Sequence, residues 1–539
     1  MLMKTIFLSL ICLFYFLGYS QQEYFVAVNG NNSNNGTINS PFETIFKASQ
    51  VAQPGDIIQV RGGIYRNSDF NDGDVWNGTV AGKITCNGTA TQYITFQPYQ
   101  NEEVIFEFDA NYGVKISNSS YIIFQGFKIK GIGEQITYSE ALSNWGLYML
   151  ADGSIHDITG NESLMPLPAG TSKPSYYNGR GLVANNCHHI KLKNNIVNNC
   201  PSSGIRAEQS DYVDIIGNTV YHNTYWTTQG VGAITIAEAS DLDSSSDYKF
   251  NIEQNLVYEN ENKMISWNPT KSFITYLIDE GSGIFLTRNQ NTYLHGKIYI
   301  NNNIVYKSGA SGIMCHYTDR TLIAFNSLYY NGANNDGFPG GIGINNTNHV
   351  IIANNLIHAR PTKWAIGTTA QPNTNYTIEN NIVYNENSSQ SIYNNLSTGW
   401  SNSNPLFVDP TLNNFNIQST SPAINAASTN YTIAKDFNNN IRTDAMNDVG
   451  AIEFNATLSL PKTNSNSFLL YPNPVIDHLW ISSNQSIQNI SIFNILGQKI
   501  VSINETNENV KDYSIDLNFL EKGMYIIKCN SESNIFLKQ

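Results

Sequence analysis

Residues 190–199 read IKLKNNIVNN, and the phrase returns as VDIIGNTVYHN (213–223), FNIEQNLVYEN (250–260), IYINNNIVYKS (298–308), LIAFNSLYYNG (322–332), IIANNLIHA (351–359) and TIENNIVYNE (377–386). Each copy is an apolar-rich strand, one or two Asn, an apolar pair, then Tyr, His or Asn. The Asn before the apolar pair falls at 195, 218, 255, 303, 326, 355 and 381, with a tightest spacing of 23 residues. Helical repeats need about 33 residues or more. A β-branched repeat of this length, without helical periodicity, fits one turn of a parallel β-solenoid. Successive coils then lie about 4.8 Å apart. Equivalent Asn side chains can stack and hydrogen-bond along the axis, as they do in cross-β ladders.

A second strand recurs beside the first, entered through Gly: GLVANN (181–186), GIRAEQ (204–209), GAITIAE (232–238), GIFLTR (283–288), GIMCHY (312–317) and GIGINN (341–346). Strand side chains alternate between faces. With Leu182, Ile205, Ile234, Ile284, Ile313 and Ile342 inward, the residues two further on, including Cys315, are inward as well. The outward rows become Val183 and Asn185, Arg206 and Glu208, Thr235 and Ala237, Phe285 and Thr287, Met314 and His316, Gly343 and Asn345. The functional surface is expected on these rows.

The chain has 539 residues, 14% of them charged, with a formal net charge of −13. This profile fits a large secreted β-protein and disfavours a general binder of nucleic acid or anionic membranes. It argues mildly against a polyanionic substrate, although local Arg and Lys can override the global field. Outside the leader there are five cysteines, at 86, 187, 200, 315 and 529, with no pairing pattern and no zinc-like spacing.

Residues 1–20 carry Lys4 and the apolar run IFLSLICLFYFLG, and read as a secretory signal peptide cut after Ser20, against a rival reading as a membrane anchor. Ser40-Pro41-Phe42-Glu43 looks like a capping box with Pro at the first helical position. The amphipathic helix after it would cover the open end of the solenoid. The phrases Gly-x-x-Ser-x-x-Gly-Thr from Gly30, Ser-Pro-Phe-x-Thr from Ser40, Pro54-Gly55-Asp56 and Arg-Gly-Gly-x-Tyr from Arg61 resemble the N-terminal part of secreted right-handed parallel β-helix proteins. Those include the chondroitinase B/alginate lyase-like and pectate lyase-like groups. The resemblance implies an all-β right-handed parallel β-helix over 21–454 and a carbohydrate-active protein. Residues 137–177 interrupt the repeat, and Trp145, Tyr148, Tyr176 and Tyr177 would serve as a sugar-stacking wall or a packed flap. Asp436, Arg442 and Asp448 read as buried ties in the last coils. Residues 455–467 form a linker rich in Asn, Ser and Thr.

In 468–539, Tyr471-Pro472-Asn473-Pro474, Ile495-Leu496-Gly497-Gln498-Lys499 and Gly523-Met524-Tyr525-Ile526 resemble the type A C-terminal sorting domain of the Bacteroidetes type IX secretion system. That resemblance implies a small β-sandwich-like domain, export to the cell surface or beyond, and contact with the type IX machinery.

Insertions at 224–232, 240–247, 259–283 and 289–296 abut the Gly-entered strand and would raise a cleft along it, suited to a linear polymer. The candidate catalytic residues in it are Arg206, Glu208, Glu238, Asp279, Glu280, Arg288, His316 and Tyr317, expected to converge on one sugar ring. Trp226, Trp267 and Asn345 are candidate substrate contacts. A polysaccharide lyase abstracts the proton α to a uronate carboxyl group and needs a base and a cation. His316 or Tyr317 would be the base, and Arg206 or Arg288 the cation. Glu208, Glu238 and Asp279 could instead hold Ca²⁺, and Asp241, Asp243 and Asp247 are either a calcium loop or a solvated turn. A glycoside hydrolase would pair Asp279 or Glu280 with Glu208 or Glu238. The lyase signatures sought, an Asp-Asp-Gly cluster and a Lys-Ser-x-x-Asn phrase, are missing. The expectation is a monomeric secreted polysaccharide lyase acting on an acidic glycan, with a hydrolase and a non-catalytic glycan-binding β-helix as alternatives. Each candidate also has a plain structural reading, as an ion pair, a surface histidine, turn chemistry or packing under loops.

Overall fold

The computed structural model describes residues 21–68, 70, 80–144, 147–149, 155–157, 175–264, 278–334, 338–368, 372–387, 399–442, 446–454, 468–483, 486–494, 497–504, 510–530 and 532–538. The signal-peptide and linker readings, with Trp145 and Trp267, fall outside these residues, and Tyr148 and Tyr176 are described in backbone alone. The chain divides into two compact units, Met1–Phe454 and Asn455–Gln539.

The first unit is a right-handed parallel β-helix of three long sheets. Sheet 1 has eleven strands from Glu23–Val26 to Thr377–Glu379, sheet 2 has nine from Val80–Ile84 to Ile366–Thr368, and sheet 3 has eleven from Gly63–Arg66 to Trp400–Asn402. Within each of these sheets every pairing is parallel. The register matches the sequence alignment of the Gly-entered strands, which form sheet 2: Leu182, Ile205, Ile234, Ile284, Ile313 and Ile342 are successive partners. All six are fully buried, and with Ile190, Val197 and their equivalents they fill one continuous core.

The asparagines explain how each coil turns. The residue before each ladder Asn has positive φ (Asn194, Gly217, Gln254, Asn302, Phe325, Asn354 and Asn380). Asn and Gly tolerate this left-handed conformation best. The next residue then points inward. From Asn195 to Asn381 each amide nitrogen donates to the carboxamide oxygen one coil on, at 2.9–3.1 Å. Each oxygen from Asn218 onward also accepts the backbone N–H of the preceding Asn, at 2.9–3.0 Å. A shorter ladder runs in the turn after sheet 3, where Asn223 bonds Asn260.

The N-terminal helix is Ile45–Val51, and Thr44 is its cap, accepting from Lys47 N–H at 3.2 Å. The expected Ser40–Glu43 box does not form. Phe42 is buried and bridges Val26, which keeps that stretch extended until Thr44. At the other end, the buried Arg442 guanidinium meets Glu453 and donates to the carbonyls of Gly450 and Asp448. Asp436 and Asp448 are buried beside it, so these residues are structural ties. The five cysteines outside the leader are all buried.

The second unit pairs a three-stranded antiparallel sheet with a four-stranded one. Their facing rows, including Leu479, Ile481, Ile492, Ile527 and Phe536, form a separate core.

Candidate active site

Sheet 2 sets its outward side chains in two rows. The first reads Lys115, Val183, Arg206, Thr235, Phe285, Met314 and Gly343. The second reads Ser117, Asn185, Glu208, Ala237, Thr287, His316 and Asn345. One residue further, Gln209, Glu238, Arg288, Tyr317 and Asn346 occupy the turn into sheet 1, all with positive φ.

The first row is not an open surface. Arg206 is 4% exposed, and Thr235, Phe285 and Met314 are buried as well. The Ser203 hydroxyl meets that of Thr235 at 3.2 Å, and Pro339 packs over Gly343. Polar groups reach solvent at the end of the strands, along the second row and the turn. That edge, an accessible strip of sheet 2, is the candidate trough.

Two centres occupy it. At the first, Arg206 grips Glu208 through two bonds, Nε–Oε2 at 3.2 Å and a terminal nitrogen to Oε1 at 3.0 Å. Arg180, one coil back, lies 3.8 Å from the same carboxylate. Burial would raise the Glu208 carboxyl, but the bonds from Arg206 and the charges of Arg206, Arg180 and Arg288 outweigh it and hold Glu208 below its usual range. Lys115 precedes Val183 in register, its ammonium 4.4 Å from the Tyr112 ring centre. A chain of strong net negative charge therefore concentrates cations at this trough.

At the second centre, three coils and about 14 Å from Glu208, His316 stacks on Phe285 and meets Tyr317 edge-on, with ring centres 6.0 and 4.6 Å apart. Its Nδ1 lies 3.1 Å from the Thr287 hydroxyl. Burial first, and the Arg288 charge second, push His316 from 6.5 down to about 4. It is therefore neutral at pH 7. Arg288, 58% exposed, pairs with Glu238 at 3.0 Å between the two centres. Such an exposed pair opens at little cost.

The shift of His316 has a thermodynamic sign. Its folded value lies below its unfolded one, so its contribution is complete above pH 6.5 and is lost as pH falls toward about 4. Urea midpoints measured across that window are expected to fall more steeply for the wild type than for His316→Gln.

Four expectations need correction. Asp279 and Glu280 lie before the strand Ser282–Thr287, at the opposite end from Glu208, Arg288 and His316. That strand alone spans about 17 Å, so they do not join the others on one ring. The Glu280 carboxylate packs against Gly230 there. Trp226 is buried and its indole N–H donates to the Gly133 carbonyl at 2.6 Å, which makes it a packing residue. Asp241 and Asp243 do not form an open calcium loop: with Asp211 they surround the Lys249 ammonium, which already supplies the positive charge. Asp247 is exposed and accepts from Ser245 Oγ at 2.6 Å. Among the described residues, no group of three or more His, Cys, Asp or Glu is arranged to hold a metal.

Asn345 stands in register with His316 one coil on and is half-buried. Two residues of the trough, Arg180 and Lys115, escaped the sequence reading. Arg180 sits just before its Gly-entered strand, and the strand of Lys115 lacks the Asn phrase altogether. Aligning YGVKIS with RGLVAN by their glycines is the signal that finds both.

Known proteins resemble the chain in parts. Residues 24–203 match the family model described as Pel9A-like, right handed beta helix region. Residues 469–539 match the secretion system C-terminal sorting domain. The chain is thus marked for secretion through the type IX system, to the cell surface or beyond. An uncharacterized protein of Bacillus subtilis, YwoF, is 29% identical over 97 residues, 18% of this chain and 17% of its own. The chain thus matches about a sixth of that relative's length. Among solved structures, pectate lyase Pel9A is 17% identical with a TM-score of 0.44, over 81% of this chain and 97% of its own. The GH136 lacto-N-biosidase of Eubacterium ramulus is 12% identical with a TM-score of 0.38, over 71% and 67%. A rhamnogalacturonan lyase is 12% identical with a TM-score of 0.30, over 67% and 87%.

Proposed function

We propose that this secreted β-helix is a carbohydrate-active enzyme, a polysaccharide lyase that cleaves an acidic glycan by β-elimination in the trough at the edge of sheet 2. The observation that carries the reading is the set of cations Lys115, Arg180 and Arg288 beside an imidazole kept neutral at His316. A polyuronate lying along the rod would set successive carboxylates against successive coils. His316 takes the proton α to the uronate carboxyl group, and Arg288 faces the charge that develops on that carboxylate. The C–O bond to the leaving sugar breaks as the ring double bond forms. The departing oxygen is protonated by the imidazolium or by the Tyr317 hydroxyl. Arg180 and Lys115 seat uronates on neighbouring coils, and the buried Arg206 holds Glu208 in place.

The hydrolase alternative needs a carboxylic acid held protonated near neutrality. Glu208 is shifted the other way, and Glu238 is paired with Arg288.

The test is incubation with polygalacturonate, alginate, chondroitin sulfate and neutral xylan. Ultraviolet absorbance from unsaturated uronate on one of the acidic polymers is the expected result. New reducing ends without that absorbance would establish hydrolysis instead. Binding with no product, unchanged in His316→Ala, would make the protein a glycan-binding module.

A further inference from the structure

The cations of sheet 2 continue past the two centres toward the N-terminal end of the β-helix. The strand Val80–Ile84 pairs in register with Tyr112–Ser117, which sets Lys83 one coil before Lys115 in the first outward row. Lys83 is exposed, and its ammonium lies 5.0 Å from the centre of the Phe46 ring on the N-terminal helix. The Lys115 ammonium and the Arg180 guanidinium both lie against Tyr112, 4.4 and 5.9 Å from its ring centre. The Arg180 Nε is closed to solvent and has no hydrogen-bond partner. From Lys83 to Arg206, the one carboxylate on the two outward rows among the described residues is Glu208, which Arg206 already holds. Aromatic rings rather than acids support Lys83 and Lys115, so their charge stays open to an anionic ligand.

The distribution is one-sided. Lys83 and Lys115 stand six and five coils before His316, about 29 and 24 Å away. One coil beyond His316 the same rows read Gly343 and Asn345, and Gly367 follows Gly343 on the next. Those positions are neutral.

We propose that Lys83, Lys115 and Arg180 form a distal platform for the carboxylates of an acidic polysaccharide, which holds the polymer on one side of the cut only; this rests on the lyase reading of the trough. A chain of net charge −13 repels polyanions at long range, so an acidic glycan needs such a local cluster to dock. Several weak contacts on one polymer act together, because each raises the effective concentration of the next. After elimination, the product lying over the early coils stays bound and is cut again, while the product beyond His316 leaves.

Binding is measured first, in full-length protein carrying His316→Ala so that the polymer is not cut. Three forms are run in native gels containing polygalacturonate, alginate or neutral xylan: the parent, Lys83→Gln/Lys115→Gln, and Lys522→Gln/Lys528→Gln, which removes the same charge from exposed positions of the second unit. An acidic polymer is expected to retard the parent and the Lys522/Lys528 control alike and to bind the platform variant about three- to tenfold more weakly. The difference should shrink in concentrated NaCl, which screens exposed charges. Equal retardation of all three forms, retardation by none of the polymers, or retardation by xylan as strong as by the acidic polymers would overturn the platform. Partial digests by the active protein are then sized. Wild type should leave short products beside uncut polymer, and Lys83→Gln/Lys115→Gln a spread of intermediate lengths; identical profiles would overturn the one-sided hold. Platform-dependent binding in the gels with no unsaturated product from wild type would defeat the lyase reading alone and support the platform as a glycan-binding surface.

Discussion

Replacing His316 by alanine is expected to lower kcat on the acidic polymer that the enzyme cleaves by about 10²–10⁴-fold, the usual contribution of a positioned general base. KM should change little, because uronate seating falls to Arg180 and Lys115 on other coils. The wild-type rate should hold level through neutrality and fall as pH approaches about 4, where the imidazole takes up its proton. Burial is the main cause of that low value, and Arg288 the second. Arg288→Gln should therefore move the acid limb upward as well as slow the reaction, a signature that a merely structural arginine would not give. Initial-rate profiles of the three proteins, with circular dichroism to confirm folding, decide the matter. A His316→Ala enzyme of wild-type rate would remove the base from the mechanism.

The largest effect on stability is expected from Asn255→Ala. Asn255 is fully buried and donates to the Ile215 carbonyl at 2.8 Å and to Asn303 at 2.9 Å. It accepts two bonds from Asn218, at 2.9 and 3.0 Å. Truncation strands these partners in a site closed to water, at about 1–3 kcal/mol for each group left unsatisfied. Part of this is relieved by relaxation, leaving a loss of about 3–5 kcal/mol, near the upper end for single substitutions. Urea unfolding followed by circular dichroism should show it, with Asn416→Ala, an exposed control, within about 0.5 kcal/mol of wild type. Equal midpoints for the two variants would mean that the ladder contributes little.

The fold was legible in the sequence because two periodic constraints were written into it. Asn recurs where a left-handed turn must be followed by an inward amide, and Gly recurs where sheet 2 begins. Those positions align with one another whatever lies between, so the register could be read correctly from Leu182 to Ile342. The site was less legible. The alternation rule gave the direction of Arg206 and Phe285 but not their burial. Asp279 and Glu280 were placed by coil number alone, without the length of the strand that separates them from His316. Asp241 and Asp243 left a calcium loop and a solvated turn both open, because Lys249 reaches them from a different strand. Ser40–Glu43 matched a capping box locally, and the bridge from Phe42 to Val26 overrode it.

The amide ladder has a consequence for how such a rod changes length. Asn195 offers its oxygen to the N–H of Phe127, and Asn381 reaches the carbonyl of Gly399, so backbone groups close the series at both ends. Every member between presents its carboxamide oxygen to the turn behind it and its backbone N–H and amide nitrogen to the turn ahead. Within the ladder itself, a block of residues running from one Asn to the next, such as 303 to 326, presents the same acceptor behind and the same donors ahead as any other block. Growth by whole modules and by loops between the strands is open to this architecture, whereas gain or loss of a single residue inside a strand turns its inward row outward.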